Sequence, residues 1–313
     1  MRRYLKYVVF VLFLISCSRE KTFEIEVIGE IPGNIEFPCS YNNEASPTLC
    51  YGDARSGKIY FVNKQTNHLF RTLRLKQGMA PGEISRFRGI AGIYLYKNLL
   101  FVFDEIQSRI NIYDTTGNFI RDFKLRERYW SMTGMDSSLV LIKDVKYLKR
   151  INFSGKVIRE IGDLSKIENG KNPGITPTLF AQDGEKIYLT SVVDYNVVGY
   201  DLKTGNSIFY FDSPHYLKGK IRTKKKTGSI SIAYLKGLSS IVKVGDFLLV
   251  SRFNLEDKKD VGFDVVNLCQ GKIISFIPTG GNVIQFLGSG EDSMLYYCPL
   301  IEGSVKFGFL KSE

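Results

Sequence analysis

An all-β chain, a single-domain six-bladed β-propeller, is what this sequence predicts, and three observations predict it. First, an apolar run that ends in a polar or turn residue recurs six times. The runs end at Asn63, Asp104, Asp144, Ser191, Arg252 and Pro299, at intervals of 41, 40, 47, 61 and 47 residues. Self-similarity at ~40–50 residues marks propeller blades. Second, aromatic content is 13%, with 18 Tyr and 22 Phe, and aromatic side chains fit a pleated, half-buried surface. Third, no segment holds a long helical period, so helix should be nearly absent.

The first element is not part of the repeat. Arg2, Arg3 and Lys6 precede the unbroken apolar stretch Val8–Ile15, the shape of an export signal. A span across a bilayer needs ~20 apolar residues, so this stretch is to be removed rather than retained. It ends in Leu14-Ile15-Ser16-Cys17, which resembles a bacterial lipobox. The alternative is an ordinary secretory signal with a chance cysteine. On the lipobox reading residues 1–16 are signal, Cys17 is the lipidated first residue, 17–22 are a tether and 23–313 the propeller. Ser18 after Cys17 points to the outer membrane, with periplasmic or cell-surface face undetermined.

The next element, Phe23-Glu24-Ile25-Glu26-Val27-Ile28, alternates and belongs to no repeat. The first run, Ile59–Val62, is followed by about one strand fewer than the second run. The second unit is complete: Leu99–Phe103, alternating Ile110–Tyr113, the turn Asp114-Thr115-Thr116-Gly117-Asn118, and Phe119–Phe123 with charges facing water. Apolar-on-both-faces, then one-faced, then charged is the order from the inside of a packed sheet outward. The turn recurs as Asn152–Lys156, Asp201–Gly205 and Asn267–Gly271. The last unit has room only for Ser304–Leu310. Phe23–Ile28 is therefore expected to pair there, closing the ring and covering an open edge.

Pro81-Gly82-Glu83, Phe101-Val102-Phe103-Asp104 and Tyr113–Ile120 together resemble the six-bladed, NHL-like β-propeller lipoproteins of Gram-negative bacteria. Ala80 stands where that pattern has Gly. The close match covers roughly residues 58 to 125, and the remainder agrees only in spacing and strand pattern. The resemblance implies a propeller at the bacterial envelope, mostly without an assigned activity.

Removing the signal takes the formal net charge from +11 to +8, a balance that favours acidic partners or serves solubility. Cys39, Cys50, Cys269 and Cys298 allow three disulfide pairings, of which Cys39–Cys50 with Cys269–Cys298 is the attractive one; four unpaired core residues are the alternative. His68 and His215 stand far apart, with no zinc-type spacing. The run-end residues Asn63, Asp104, Asp144, Ser191 and Arg252 form a candidate channel ring. If they converge they could hold calcium and support a hydrolase or lactonase, as a central metal does in some six-bladed lactonase-type enzymes; if not, each serves its own turn. Lys218, Lys220, Arg222, Lys224, Lys225 and Lys226 form a candidate anion-binding loop in the longest interval, read as an insertion outside the blades. Aromatic interleaving there is too thin for nucleic acid. Tyr129-Trp130 could stack on a sugar or fill core. No nucleophile, phosphate-loop or dinucleotide motif occurs. The expectation is a monomeric envelope-anchored binding or scaffold module without a cofactor. It would be held to the membrane through Cys17 and recognise an unknown protein or glycan.

Overall fold

The computed structural model describes residues 23–31, 35, 38–41, 47–86, 89–162, 178–214, 217, 219–226, 229–290, 294–300 and 304–312. The signal, Cys17, His215 and Lys218 lie outside these. No described residue is α-helical; Lys258–Asp260 make one 3-10 turn.

The strands form five antiparallel-meander sheets. The first holds β2 (Pro38–Tyr41), β3 (Thr48–Asp53), β4 (Lys58–Asn63) and β5 (His68–Arg74). An eight-stranded sheet follows, made of two meanders. One is β6 (Ile90–Tyr96), β7 (Leu99–Asp104), β8 (Arg109–Asp114) and β9 (Phe119–Lys124). The other is β10 (Ser131–Met135), β11 (Ser138–Asp144), β12 (Tyr147–Asn152) and β13 (Val157–Gly162). Their first strands touch through one parallel pair, Met132 opposite Gly92. A Cβ on Gly92 would lie 2.5 Å from the Met132 carbonyl oxygen, so glycine is what permits the approach.

β14 (Thr178–Asp183), β15 (Lys186–Ser191), β16 (Asn196–Asp201) and β17 (Ser207–Asp212) form the next sheet. A five-stranded sheet holds β18 (Lys220–Lys226), β19 (Ser229–Val244), β20 (Phe247–Asn254), β21 (Gly262–Asn267) and β22 (Lys272–Pro278). In the last sheet β23 (Ile284–Ser289), β24 (Met294–Pro299) and β25 (Val305–Ser312) are completed by β1 (Phe23–Ile31). β1 pairs with β25 from Phe23 opposite Ser312 to Ile31 opposite Val305, the partner its alternation and the short last repeat predict.

Burial follows position in the meander. The second strands β3, β7, β15 and β24 are almost wholly buried, and the fourth strands β5, β9 and β13 are mostly exposed. Apolar clusters lie between neighbouring sheets. Met135, Ile142 and Leu148 pack with Ile187, Leu189 and Tyr200; Tyr188 and Val197 with Leu248 and Val266; Val242, Phe263 and Val265 with Phe286 and Leu295. A further cluster joins Ile31, Tyr296 and Val305 to Leu49, Tyr60 and Val62, so the last sheet packs on the first.

Three sequence expectations need correction. The run ending at Asn63 is a third strand, not a second. β2 and β3 precede it, so the strand missing after Asn63 lies upstream. The position equivalent to Asp104 is Asp53, at the end of β3. In the fifth repeat it is Asn254, two residues beyond Arg252. Third, Lys220–Lys226 are not loop: they pair as β18 with β19, from Lys220 opposite Lys236 to Lys226 opposite Ser229. Backbone pairing with the β-prone Ser229–Lys236 stretch overrides the poor strand propensity of lysine.

Candidate functional site

Of the five strand-end residues, Asn63, Asp104, Asp144 and Ser191 bond within their own turns and connectors. Asp104, fully buried, accepts from Ser85 N at 2.6 Å and from Gln107 Nε2 at 2.9 Å, and its other oxygen accepts from Gln107 N at 3.0 Å. Asp144 accepts from Lys146 N at 3.0 Å. Ser191 Oγ accepts from Asp194 N at 2.7 Å. Asn63 accepts from Gln65 N and Thr66 N at 2.9 and 3.1 Å, in a third-to-fourth-strand turn. Each thus satisfies donors of its own turn or an adjoining connector, as short polar side chains do. No two of the five are bonded to one another, and no group of three His, Cys, Asp or Glu among the described residues could hold a metal.

Arg252 belongs to a different cluster, with Tyr195, Asp260, Asp264 and Phe276. Its guanidinium lies 3.9 Å from the Phe276 ring centroid, 3.2 Å from Asp260 Oδ1 and 3.6 Å from Asp264 Oδ2. Asp260 also receives Lys236 Nζ at 2.8 Å and Asn254 Nδ2 at 3.2 Å. Asp264 is 1% exposed. Loss of solvation outweighs the pull of Arg252 and raises its carboxyl to about 6. Tyr195 beside it is raised well above its usual value, by burial first and the Asp264 charge second. Tyr195 interacts with the Asp264 carboxylate, whereas Arg252 Nε is buried without a hydrogen-bond partner. Sequence reading placed Arg252 in a turn because two carboxylates 8 and 12 positions downstream give no local signal.

A cavity of about 210 Å³ is lined by the first strands β6, β10, β14, β19 and β23 and by Trp130, so it lies where the meanders converge. Its polar side chains are mostly engaged with the protein. Gln182 donates to the Gly134 and Gly184 carbonyls at 2.9 and 3.0 Å and accepts from Thr133 Oγ1 at 2.5 Å. Ser131 Oγ donates to Ala91 O at 2.6 Å. Lys243 lies 2.8 Å from Asp183. Ser239 and Ser251 donate to Ile284 O at 2.8 and 2.7 Å, and Ser240 accepts from Phe286 N at 2.8 Å. These hydroxyls stitch β19 and β20 to β23. Their signal in sequence was the Ser239-Ser240 pair inside a strand, which reads as ordinary turn chemistry.

Trp130 is half-buried under Arg128, whose guanidinium carbon sits 5.3 Å from the ring, while Tyr129 is buried. Of the two candidate disulfides, Cys269–Cys298 is not formed, and Cys39 lies outside the residues whose side chains are described. Cys50 and Cys298 are buried thiols and Cys269 is an exposed one. Cys50 and Cys298 flank Tyr51, whose hydroxyl burial pushes up. Within the basic run, Lys220 pairs with Glu256 at 2.9 Å and Arg222 is exposed.

No family model matches this chain, and no curated protein matches it. Among solved structures, the β-propeller domain of Cps50 (Swd1) from Myceliophteria thermophila is similar. It has 11% identity and a TM-score of 0.53, over 91% of this chain and 99% of that one. BamB from Moraxella catarrhalis aligns at 12% identity with a TM-score of 0.48, over 91% of this chain and 100% of that one. At such identity a likeness speaks for fold alone, and the first of the two carries it: this chain folds as a β-propeller.

Proposed function

We propose that the protein is an envelope-anchored, six-bladed propeller that works as a binding or scaffold module. Residues 23–313 form one ring, β1 closes it, and residues 17–22 tether it to the outer membrane through lipidated Cys17. The blade count is supported by the division of the eight-stranded sheet into two meanders that meet at one bridge. Closure is supported by the β1–β25 ladder and by the cluster joining the last sheet to the first.

The observation that carries the binding reading is where the polar chemistry goes. Asp104 and Asp144 spend their oxygens on backbone donors, and the cavity side chains bond mostly to backbone groups. A catalyst needs a positioned acid, base, nucleophile or metal. What this ring presents to a partner is its surface, to a protein or glycan, and no cofactor is required. The test uses the purified full chain in detergent. Calcium is expected to leave its melting temperature unchanged, and lactones and esters to go unhydrolysed. Stabilisation by calcium by mass action, with turnover lost in Asp104→Asn, would replace this reading with a calcium-dependent hydrolase.

A further inference from the structure

In a four-strand antiparallel meander the second-to-third turn lies at the same end as the start of the first strand and the finish of the fourth. A propeller sets these ends together on one face of the ring. Four large apolar side chains are exposed on turns or connectors: Met79 at 64%, Ile106 at 55%, Leu255 at 68% and Leu300 at 38%. Met79 sits between β5 and β6, Ile106 between β7 and β8, Leu255 between β20 and β21, and Leu300 between β24 and β25. All four belong to that same end. The other exposed large apolar residues lie on the outer strands β1, β5, β9, β13 and β17. Among the described residues none occupies a turn at the opposite end.

Charge is polarised the same way. Arg86, Arg126, Lys146, Lys258 and Lys259 are exposed at the apolar end. None forms an ion pair among the described residues. Several acids there are engaged, Glu83 with Lys76, Glu105 with Arg128, and Glu256 with Lys220, while Glu30, Asp194, Asp212 and Asp257 are exposed and outside these pairs. The β18–β19 hairpin adds to the surplus. β20 pairs with β19 only from Lys236 onward, so the β18–β19 ladder from Lys220 opposite Lys236 to Lys226 opposite Ser229 extends beyond β20 at this end. That hairpin carries Lys220, Arg222 and Lys224–Lys226 and no acid between Lys220 and Lys236.

The tether leaves from the other end. β25 starts at the apolar end, opposite Ile31, and Phe23 pairs with Ser312 at its finish. A six-residue tether spans at most ~20 Å. A membrane reached through Cys17 therefore lies on the polar side, and the apolar, cationic end points away from it.

We propose that this end is the docking face for a protein surface that is acidic and presents apolar side chains. The proposal rests on the binding-module reading and adds the face and the partner's chemistry. The opposed tether argues for a protein over a lipid headgroup layer, which would otherwise suit a basic, apolar face.

The test uses the full lipoprotein reconstituted through its own anchor into phosphatidylcholine vesicles. The probes are an alternating Glu/Leu peptide, its Lys/Leu counterpart, and separate vesicles containing phosphatidylglycerol. The acidic peptide is expected to bind, weakening steeply with salt. Affinity should fall about 10-fold or more in Arg126→Glu/Lys258→Glu/Lys259→Glu and in Ile106→Ser/Leu255→Ser. It should hold within about 2-fold in Lys97→Glu, at the opposite end. All these residues except Lys97 lie in turns or connectors at the apolar end, and thermal melting checks that each variant folds. Clustering of the phosphatidylglycerol vesicles in place of peptide binding would overturn the proposal in favour of a lipid surface. Equal binding of both peptides would overturn it too. Peptide binding that follows Lys97→Glu would overturn the choice of end while leaving the binding-module reading standing. Failure of that reading has its own signature, calcium-dependent turnover.

Discussion

Replacing Asp264 by Asn should stabilise this protein at neutral and alkaline pH, against the usual cost of altering a buried ion pair. Asp264 is 1% exposed, and its nearest cation, Arg252 Nη1, lies 3.6 Å away, beyond hydrogen-bonding distance. Burial raises the carboxyl from 3.8 to about 6 in the folded protein. The fold then binds a proton that the unfolded chain releases, so stability is highest below the unfolded value and is lost as pH rises through the folded one. About two pK units correspond to ~3 kcal/mol at 1.36 kcal/mol per unit, lost between roughly pH 4 and 6. Asn mimics the neutral acid in shape. Arg252 keeps Asp260 at 3.2 Å, so its own charge is not orphaned. Urea denaturation at pH 4, 6 and 8 measures the effect. The variant should match the wild type at pH 4, exceed it by ~3 kcal/mol at pH 8, and show a flatter profile between. A variant less stable than wild type at pH 8 would mean that the Arg252 attraction outweighs desolvation, and the reasoning would fail.

Four further outcomes follow from the same geometry. Deleting residues 18–30 should lower the melting temperature sharply, because β1 pairs along its length with β25 and Phe23 packs 5.3 Å from Phe247; deleting 18–21 should not. Gly92→Ala should cost on the order of 1–3 kcal/mol in denaturant melts, since its methyl meets the Met132 backbone. In the native protein a thiol reagent should label Cys269 at once and reach Cys50 and Cys298 only on unfolding. Cys17→Ala should shift the protein from the membrane to the soluble fraction, and continued membrane fractionation would contradict lipidation.

What sequence made legible depended on how much of a repeat was written in local chemistry. β7 to β9 could be read residue by residue, because Asp104, Asp114 and Gly117 are turn-forming residues flanking apolar runs. β1 was legible from alternation alone. The first repeat was read out of phase because β2 is only four residues, Pro38–Tyr41, and begins with a residue rare inside sheets. The fifth was misplaced by two residues because Arg252, buried against Phe276, interrupts an apolar strand before its true cap, Asn254, which accepts from Glu256 N and Asp257 N at 3.0 and 3.2 Å. The basic run looked like loop because lysine disfavours strands, and only its partner Ser229–Lys236 makes it one. The cavity was illegible for another reason. It is built from short stretches of five strands far apart in sequence, each locally indistinguishable from core. The polarity of the two ends needed the topology, because Ile106, Leu255 and Leu300 each look like stray surface hydrophobics until their turns are known to share a face.

The account's central claim is that one end of the ring is built for a partner. The most direct measurement places a photo-crosslinking side chain, in cells, at Ile106 or Leu255 on one end and at Lys97 or Asp136 on the other, and identifies the adducts by mass spectrometry. Protein adducts are expected from Ile106 and Leu255, mapped to acidic segments of the partner, and only background from Lys97 and Asp136. Adducts confined to Lys97 and Asp136, or lipid adducts at Ile106 and Leu255, would contradict it.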